Sequence, residues 1–160
     1  MLFCDNYFDS LTRKEQKNIL RKQILIKYGS DYLERCELRD LTEKLRSRCS
    51  AAFRNLKLKK KFHTHELLGA DYIEIKKHLE DRFLDEMTWS NCGRGGWHID
   101  HIIPLAIASN EKELIKLLNY KNLQPLWESD NSIKGSKHNG VRYNYKNRDN
   151  IDFKEVTKNL

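Results

Sequence analysis

The sequence predicts an α+β domain that is mostly helical and carries one short β-hairpin in its second half. A chain of 160 residues is most simply one domain, or a compact module with a helical extension. Residues 97–103 alternate in polarity as a strand does, and Pro104 ends that pattern. Earlier in the chain, apolar residues recur every four positions and form the stripe of a buried helix face: Leu41, Leu45, Cys49 and Phe53.

The first part of the chain predicts two helices. Ser10 has the side chain of an N-cap, and the helix that it begins runs to about Tyr28, where Gly29 ends it. A second helix is predicted from about Leu41 to Leu56. Two groups of basic residues are candidate DNA contacts. Three arginines lie on this helix mainly off its apolar stripe, and a cluster of lysines follows it: Arg46, Arg48, Arg54, Lys57, Lys59, Lys60 and Lys61.

Positive charge is concentrated in this first part. Residues 1–61 hold 16 Lys and Arg against 8 Asp and Glu, whereas residues 62–160 hold 14 against 15. All of the positive excess therefore lies in a basic helical extension, residues 1–61, which favours a polyanion such as double-stranded DNA as its partner. A solvated helix surface has the same composition, so the charge alone leaves both interpretations open.

Residues 62–140 form the predicted second unit, and residues 141–160 a polar tail. Aromatic side chains of the tail are candidates for docking: Tyr143, Tyr145 and Phe153. The elements of the second unit are predicted in this order: a helix capped by Asp71 and ending near Phe83, a loop over 90–96, a strand over 97–103, a helix over 111–118, a strand over 123–127, and a helix capped by Ser129 or Asp130 that carries Asn131, Lys134 and His138.

Polar groups that suit phosphodiester hydrolysis follow the two predicted strands. The reaction needs a nucleophilic water and a cation that neutralises the phosphate. Mg²⁺ prefers oxygen and takes few protein ligands, which Asp100 and Asn131 can supply. His101, with an ordinary pKa of ~6.5, can accept a proton from water, so activity should rise with pH through roughly 6 to 8. Lys134, one helical turn after Asn131, can meet a phosphate.

Asp100 and His101 are adjacent, which raises a geometric difficulty. Neighbours on an ideal strand point to opposite faces, so one site can use both only if the strand is distorted near its end. The sequence therefore predicts irregular backbone over 101–104, with the amide of Asn122 bonding the loop that positions His101. His98 shares the face of Asp100, and there a phosphate or metal contact and a structural hydrogen bond are both open.

Each of these residues alone also fits helix capping or a solvated surface, and only their combination favours a metal-dependent nuclease. The segment 98–104, His-Ile-Asp-His-Ile-Ile-Pro, resembles the first motif of the HNH endonucleases. Asn122, in Asn-Leu-Gln-Pro-Leu, is similar to the central Asn of that family, and Asn131 to its third motif in the Asn form. The resemblance covers residues 97–138, and residues 67–89 are similar to a segment before the motif in HNH proteins of phages and large viruses.

This resemblance implies two antiparallel strands and a helix around one metal ion. It implies that His101 is the general base and that Asn122 orients the loop. Asp100 and Asn131 would bind Mg²⁺, Mn²⁺ or another divalent cation. The family's usual activity is DNA cleavage. One such site cuts one strand per visit, so a double-strand break would require a homodimer or two events.

Three further expectations come from what the sequence lacks. Its four cysteines occur singly, without the close pairs of a zinc knuckle, so no structural zinc is expected. The longest apolar run, residues 102–108, is too short for a membrane span, and the chain begins without an apolar signal segment. We therefore expect a soluble intracellular protein that is not secreted. Two other functions stay open: a non-catalytic DNA-binding module on the same scaffold, and a nuclease that acts on RNA.

Overall fold

The protein is a mixed α+β structure that is mostly helical, as the sequence predicts. The computed structural model describes residues 9–143 and 151–160; Cys4 and the predicted docking residue Tyr145 lie outside these ranges. No helix within them is long and apolar enough to cross a membrane. The elements are α1 (Arg13–Tyr28), α2 (Ser30–Asn55), α3 (Thr64–Leu68), α4 (Tyr72–Glu80), β1 (Trp97–His101), α5 (Glu111–Leu118), β2 (Leu123–Trp127), α6 (Glu128–Lys134), β3 (Lys137–His138), β4 (Val141–Arg142) and α7 (Phe153–Val156).

Helix α1 begins at a capping box formed by Thr12 and Glu15 and not at the predicted cap, Ser10. The Thr12 hydroxyl accepts a hydrogen bond from the Glu15 N–H, and the Glu15 carboxylate accepts one from the Thr12 N–H at 2.8 Å. The prediction of Ser10 as the cap is wrong, because Ser10 has a helical conformation and Thr12 has the extended backbone of an N-cap. Gly29 ends α1 as predicted, with a φ of 82° that favours glycine.

Helix α2 starts directly after Gly29, well before the predicted start at Leu41. Ion pairs connect its first half to two neighbouring helices. Glu37 pairs with Arg21 of α1 at 2.5 Å and with Lys76 of α4 at 3.5 Å. These ion pairs form only because α1 and α4 lie next to α2. The start of α2 at Ser30 therefore could not be predicted from the sequence of α2 alone.

One hydrophobic core includes both α2 and the hairpin, so the predicted division near residue 61 does not separate two cores. The apolar stripe of α2 is buried as predicted, and Ala52 joins it. Helices α3, α4 and α5 cover the same core. Its fully buried side chains include Leu41, Leu45, Phe53, Leu68, Ile75, Leu79, Trp97, Ile99, Leu114, Leu117 and Leu118.

Strands β1 and β2 form an antiparallel hairpin in which Trp97 lies opposite Trp127 and His101 opposite Leu123. Burial alternates along β1: Trp97, Ile99 and His101 face the core, while the two residues between them are half-buried on the other face. The strand is shorter than predicted, because the backbone leaves it after His101. Strand β2 and helix α5 have the predicted bounds.

Helix α4 has the predicted cap, since the Asp71 carboxylate accepts from the Glu74 N–H at 2.8 Å, but it ends at Glu80 rather than near Phe83. Helix α6 begins without a side-chain cap, so the prediction of Ser129 or Asp130 as its cap is wrong. Instead, the Glu128 N–H donates to the Gly96 carbonyl at 2.9 Å, a tertiary contact.

The region after α6 differs from a loose polar tail. His138 lies on β3 and not on α6, because the helix ends at Lys134. Tyr143 is buried, and Phe153 of α7 packs half-buried against the core. Of the three aromatic residues considered for docking, these two therefore do pack onto the body of the protein.

Candidate active site

The side chain of Asn122 forms hydrogen bonds with the backbone that follows β1. Its side chain is fully buried, and its Oδ1 accepts a hydrogen bond from the Ile103 N–H at 2.8 Å. Its Nδ2 donates to the carbonyl oxygens of Ile103, at 3.0 Å, and Leu117, at 2.7 Å. Its own carbonyl accepts from the Ile102 N–H at 2.8 Å. Residues 102 and 103 consequently bend away from the strand, which is the irregular backbone that the sequence predicts there.

Asp100 lies on the face of β1 turned towards α6. Its Oδ2 is 2.9 Å from the Lys134 ammonium and accepts a hydrogen bond from Nε2 of Gln124 at 2.9 Å. Gln124 lies opposite Asp100 in the hairpin register, so β2 supplies this partner directly. Lys134 also donates to the backbone carbonyl of His101 at 2.7 Å. One lysine therefore joins the end of α6 to both residues of the Asp-His pair.

His98 and Asn131 meet on the same face. The Asn131 amide Nδ2 lies 3.3 Å from Nδ1 of His98, and Nε2 of His98 is 3.9 Å from the Glu128 carboxylate. Because Asn131 lies one turn before Lys134 on α6, the helix presents both side chains to β1. The hydrogen bond identifies a structural contact for His98, one of the two roles that the sequence left open.

His101 points to the opposite face, into the protein. Its side chain is 7% exposed and lines a pocket of about 170 Å³ with Arg48 of α2. Burial lowers the pKa of His101 to about 4, the positive charges of Arg48 and Lys134 act in the same direction, and Asp100 opposes them. The imidazole is therefore neutral at physiological pH and can accept a proton.

The structure thus divides the predicted site residues between two faces of one strand. Asp100, His98, Asn131 and Lys134 share the face towards α6, and His101 occupies the core face. The predicted distortion is present, but it turns the backbone after His101 and leaves the alternation of β1 intact.

Arg48 lies closer to the site than its sequence position indicates. The sequence predicts only a DNA contact for Arg48, yet its charge acts on both His101 and Asp100. Arg48 follows Leu45 by three positions on α2, so it borders the buried stripe. The position of Arg48 at the border of this stripe is the one sign of its role in the sequence. That Arg48 lies near His101 follows only from the core that α2 shares with β1.

The other predicted DNA contacts lie on the surface, with one exception. Lys60 is half-buried and donates to the Thr64 hydroxyl at 2.6 Å, which ties it to the start of α3. The remaining residues are exposed: Arg46, Arg54, Lys57, Lys59 and Lys61.

The donor set suits a hard divalent ion better than zinc. Among the residues that the structure describes, no three His, Cys, Asp or Glu side chains cluster as metal ligands. Mg²⁺ needs no such cluster, because it keeps several waters and takes one or two protein oxygens. Asp100 offers a carboxylate, and Asn131 directs its Nδ2 to His98, which leaves the amide oxygen as its remaining donor. Carboxylate and amide oxygens are ligand types that Mg²⁺ accepts. The Asp100 carboxylate already forms an ion pair with Lys134.

Comparison with known proteins gives relatives but no function. The chain is 36% identical over 74 residues to uncharacterized protein L426 of Acanthamoeba polyphaga mimivirus, a match that covers 45% of this chain and 32% of that protein. Uncharacterized protein L246 of the same virus is 36% identical over 70 residues, which cover 42% of this chain and 30% of that protein. The matches thus span about a third of the length of these curated relatives. No family model and no solved structure matches the chain.

Proposed function

We propose that this protein is an endonuclease of the HNH type that hydrolyses phosphodiester bonds in DNA with one divalent cation. The observation that carries the proposal is the meeting of Asp100, Lys134 and the His101 backbone where β1 ends and α6 passes it. A buried Asn122 holds the loop next to this point. A carboxylate, an amide, a neutral imidazole and a lysine on one hairpin–helix unit are the groups that the reaction uses.

In this proposal each side chain has one task. Asp100 and Asn131 would hold the ion, which when bound supplies positive charge to the phosphate and its leaving oxygen. His101 takes a proton from the attacking water, because its imidazole is neutral and can therefore accept one. Asn122 fixes the backbone that carries His101. Lys134, once the ion shares Asp100, is placed to meet a phosphate oxygen.

The first experiment incubates supercoiled plasmid with the protein, with and without Mg²⁺, and sequences the ends of any product. We expect nicking that requires the cation and that is lost in His101→Ala and Asp100→Asn. His65→Ala is the matched control, since this histidine is exposed on α3 and is not one of the proposed site residues. Parallel reactions with RNA of the same sequence identify the nucleic acid.

One observation favours a second candidate, a non-catalytic DNA-binding protein on the same scaffold. Lys134 already supplies a positive charge at Asp100, and the imidazole of His101 lies on the other face of the strand. A scaffold that needs no metal would have these features. DNA binding without cleavage in Mg²⁺, Mn²⁺ and Ni²⁺ would support this candidate and contradict the nuclease.

A further inference from the structure

Arg48 is a half-buried charged side chain of α2. Among residues 9–143 and 151–160 it has no ion-pair or hydrogen-bond partner. Burial lowers the pKa of its guanidinium, and the nearby carboxylate of Asp100 opposes that effect. Because a half-buried cation that forms no ion pair loses part of its hydration without compensation, this position does not favour stability. An anion that binds beside Arg48 would supply the missing charge.

Arg48 lines two pockets. The pocket of about 170 Å³ contains His101, and a second pocket of about 450 Å³ contains His98 and Lys44. Lys44 precedes Arg48 by one turn of α2, so both cations lie on the same helix face. Glu43 also lines the second pocket, but it is exposed and therefore screened by solvent.

We propose that Arg48 binds the phosphate group of the DNA strand on which the site at Asp100 and His101 acts; this rests on the proposed function. The planar guanidinium matches a phosphate with two parallel hydrogen bonds, which makes arginine the suitable residue for this contact. The phosphate would occupy the space between Arg48 and the end of β1. Helix α2 thus contributes a substrate contact from outside the hairpin–helix unit, and the basic first part of the chain belongs to the active site itself.

Stability measurements separate this role from a structural one. The variants are Arg48→Met, which keeps an unbranched apolar stem without the charge, and Arg48→Lys, which keeps the charge without the planar guanidinium. Arg39→Met is the matched control, because Arg39 is an exposed arginine of the same helix whose loss changes the net charge equally. If Arg48 binds substrate, Arg48→Met melts at the same temperature as the parent or higher, since it removes an uncompensated charge. A structural arginine would give a clearly lower melting temperature, and that outcome would overturn the proposal.

DNA binding is measured in EDTA with a 30-base-pair duplex, on a background that carries His101→Ala so that no cleavage intervenes. We expect Arg48→Met to weaken binding about tenfold and to reduce the slope of log affinity against log salt by about 0.9, the loss of one phosphate contact. Arg48→Lys should keep most of the slope and recover part of the affinity. Equal affinities and slopes for Arg48→Met and Arg39→Met would overturn the proposal.

Cleavage gives the second readout. On the otherwise native chain, Arg48→Met should lower the single-turnover rate at saturating DNA about 100-fold, as loss of a donor to the reacting phosphate does, while Arg39→Met retains the rate. If the native chain cuts DNA and Arg48→Met cuts equally fast, the inference fails and the proposed function stands. If the native chain cuts nothing but the slope still depends on Arg48, the nuclease fails and the phosphate contact stands.

Discussion

The ammonium of Lys134 lies 2.9 Å from Oδ2 of Asp100 and also donates to the backbone carbonyl of His101. Both members of the pair are largely shielded from solvent, with 18% and 15% of their side chains exposed. The last turn of α6 is therefore tied to the end of β1 through one cation. A divalent ion that uses Asp100 must share this carboxylate with Lys134 or displace it, which makes Lys134 a competitor as well as a phosphate contact.

Removing that competitor should tighten metal binding. We expect Lys134→Met to lower the dissociation constant for Mg²⁺ on the order of tenfold, the size of effect that a neighbouring charge has on an ionising carboxylate. Titration calorimetry of the DNA-free protein measures it, with Lys121→Met, an exposed lysine, as the control. Unchanged or weaker Mg²⁺ binding in Lys134→Met would mean that the ion does not bind at Asp100.

The pH dependence of cleavage should differ from the one that the sequence suggests. An ordinary histidine predicts activity rising through roughly pH 6 to 8, but burial and two nearby cations lower the pKa of His101 to about 4. His101 is then already deprotonated at pH 6, so the rate should be nearly constant from about pH 6 to 8 and should fall below about pH 5. Single-turnover rates in constant ionic strength test this. A tenfold rise between pH 6 and 8 would contradict the low pKa or the role of His101 as the base.

The same shift predicts a loss of stability in acid. The histidine pKa is ~6.5 in the unfolded chain, whereas it is about 4 in the folded protein. Between these values the unfolded state binds more protons, so the free energy of unfolding decreases as pH falls from 6.5 towards 4. At pH 5 the loss from His101 should be about 2 kcal/mol relative to pH 7.

Urea unfolding at pH 7 and pH 5 measures that difference. His101→Gln lacks the titrating group, so its stability should fall between the two pH values by about 2 kcal/mol less than that of the native chain. Other groups titrate equally in both proteins and cancel in the comparison. An identical pH dependence in the two proteins would show that His101 is not responsible.

The buried Asn122 should be important for stability as well as for the site. Asn122→Ala removes the partners of three backbone groups, one N–H and two carbonyls, and should cost about 3 kcal/mol. Asn110 is a matched control, because it caps α5 on the surface, where replacement by Ala should cost about 1 kcal/mol. Urea unfolding gives both values. Equal losses would mean that the Asn122 network contributes little beyond an ordinary cap.

Local signals in the sequence were sufficient for part of this fold. Helix α5 and strand β2 have the predicted bounds, because an apolar periodicity and short connections define them within a few residues. The Asn122 bonds to the loop after His101 were also predictable, since an amide beside a chain reversal commonly bonds the backbone. The bounds of α5 and β2 depend on signals close along the chain, whereas the Asn122 bonds to Ile103 join residues 19 positions apart.

The remaining errors concern interactions between distant segments. Helix α6 begins where Glu128 bonds Gly96, so the capping preferences of Ser129 and Asp130 were not decisive. Arg48 meets the site only because α2 packs beside β1, which no local pattern encodes. The low pKa of His101 likewise depends on this packing, and therefore an ordinary histidine pKa was the wrong starting point.

The exposed lysines after α2 should contribute to DNA affinity without affecting the chemical step. Lys57, Lys59 and Lys61 are exposed, whereas Lys60 is held by Thr64 and is left unchanged. Replacing the three with Gln should weaken binding similarly for all DNA sequences and reduce the salt slope by about one unit per lost contact. Replacement of Lys77, Lys112 and Lys121, which are exposed elsewhere, removes the same charge and serves as the control. If both triple variants lose equal affinity and slope, net charge alone explains the effect, and the lysines after α2 form no particular DNA contact.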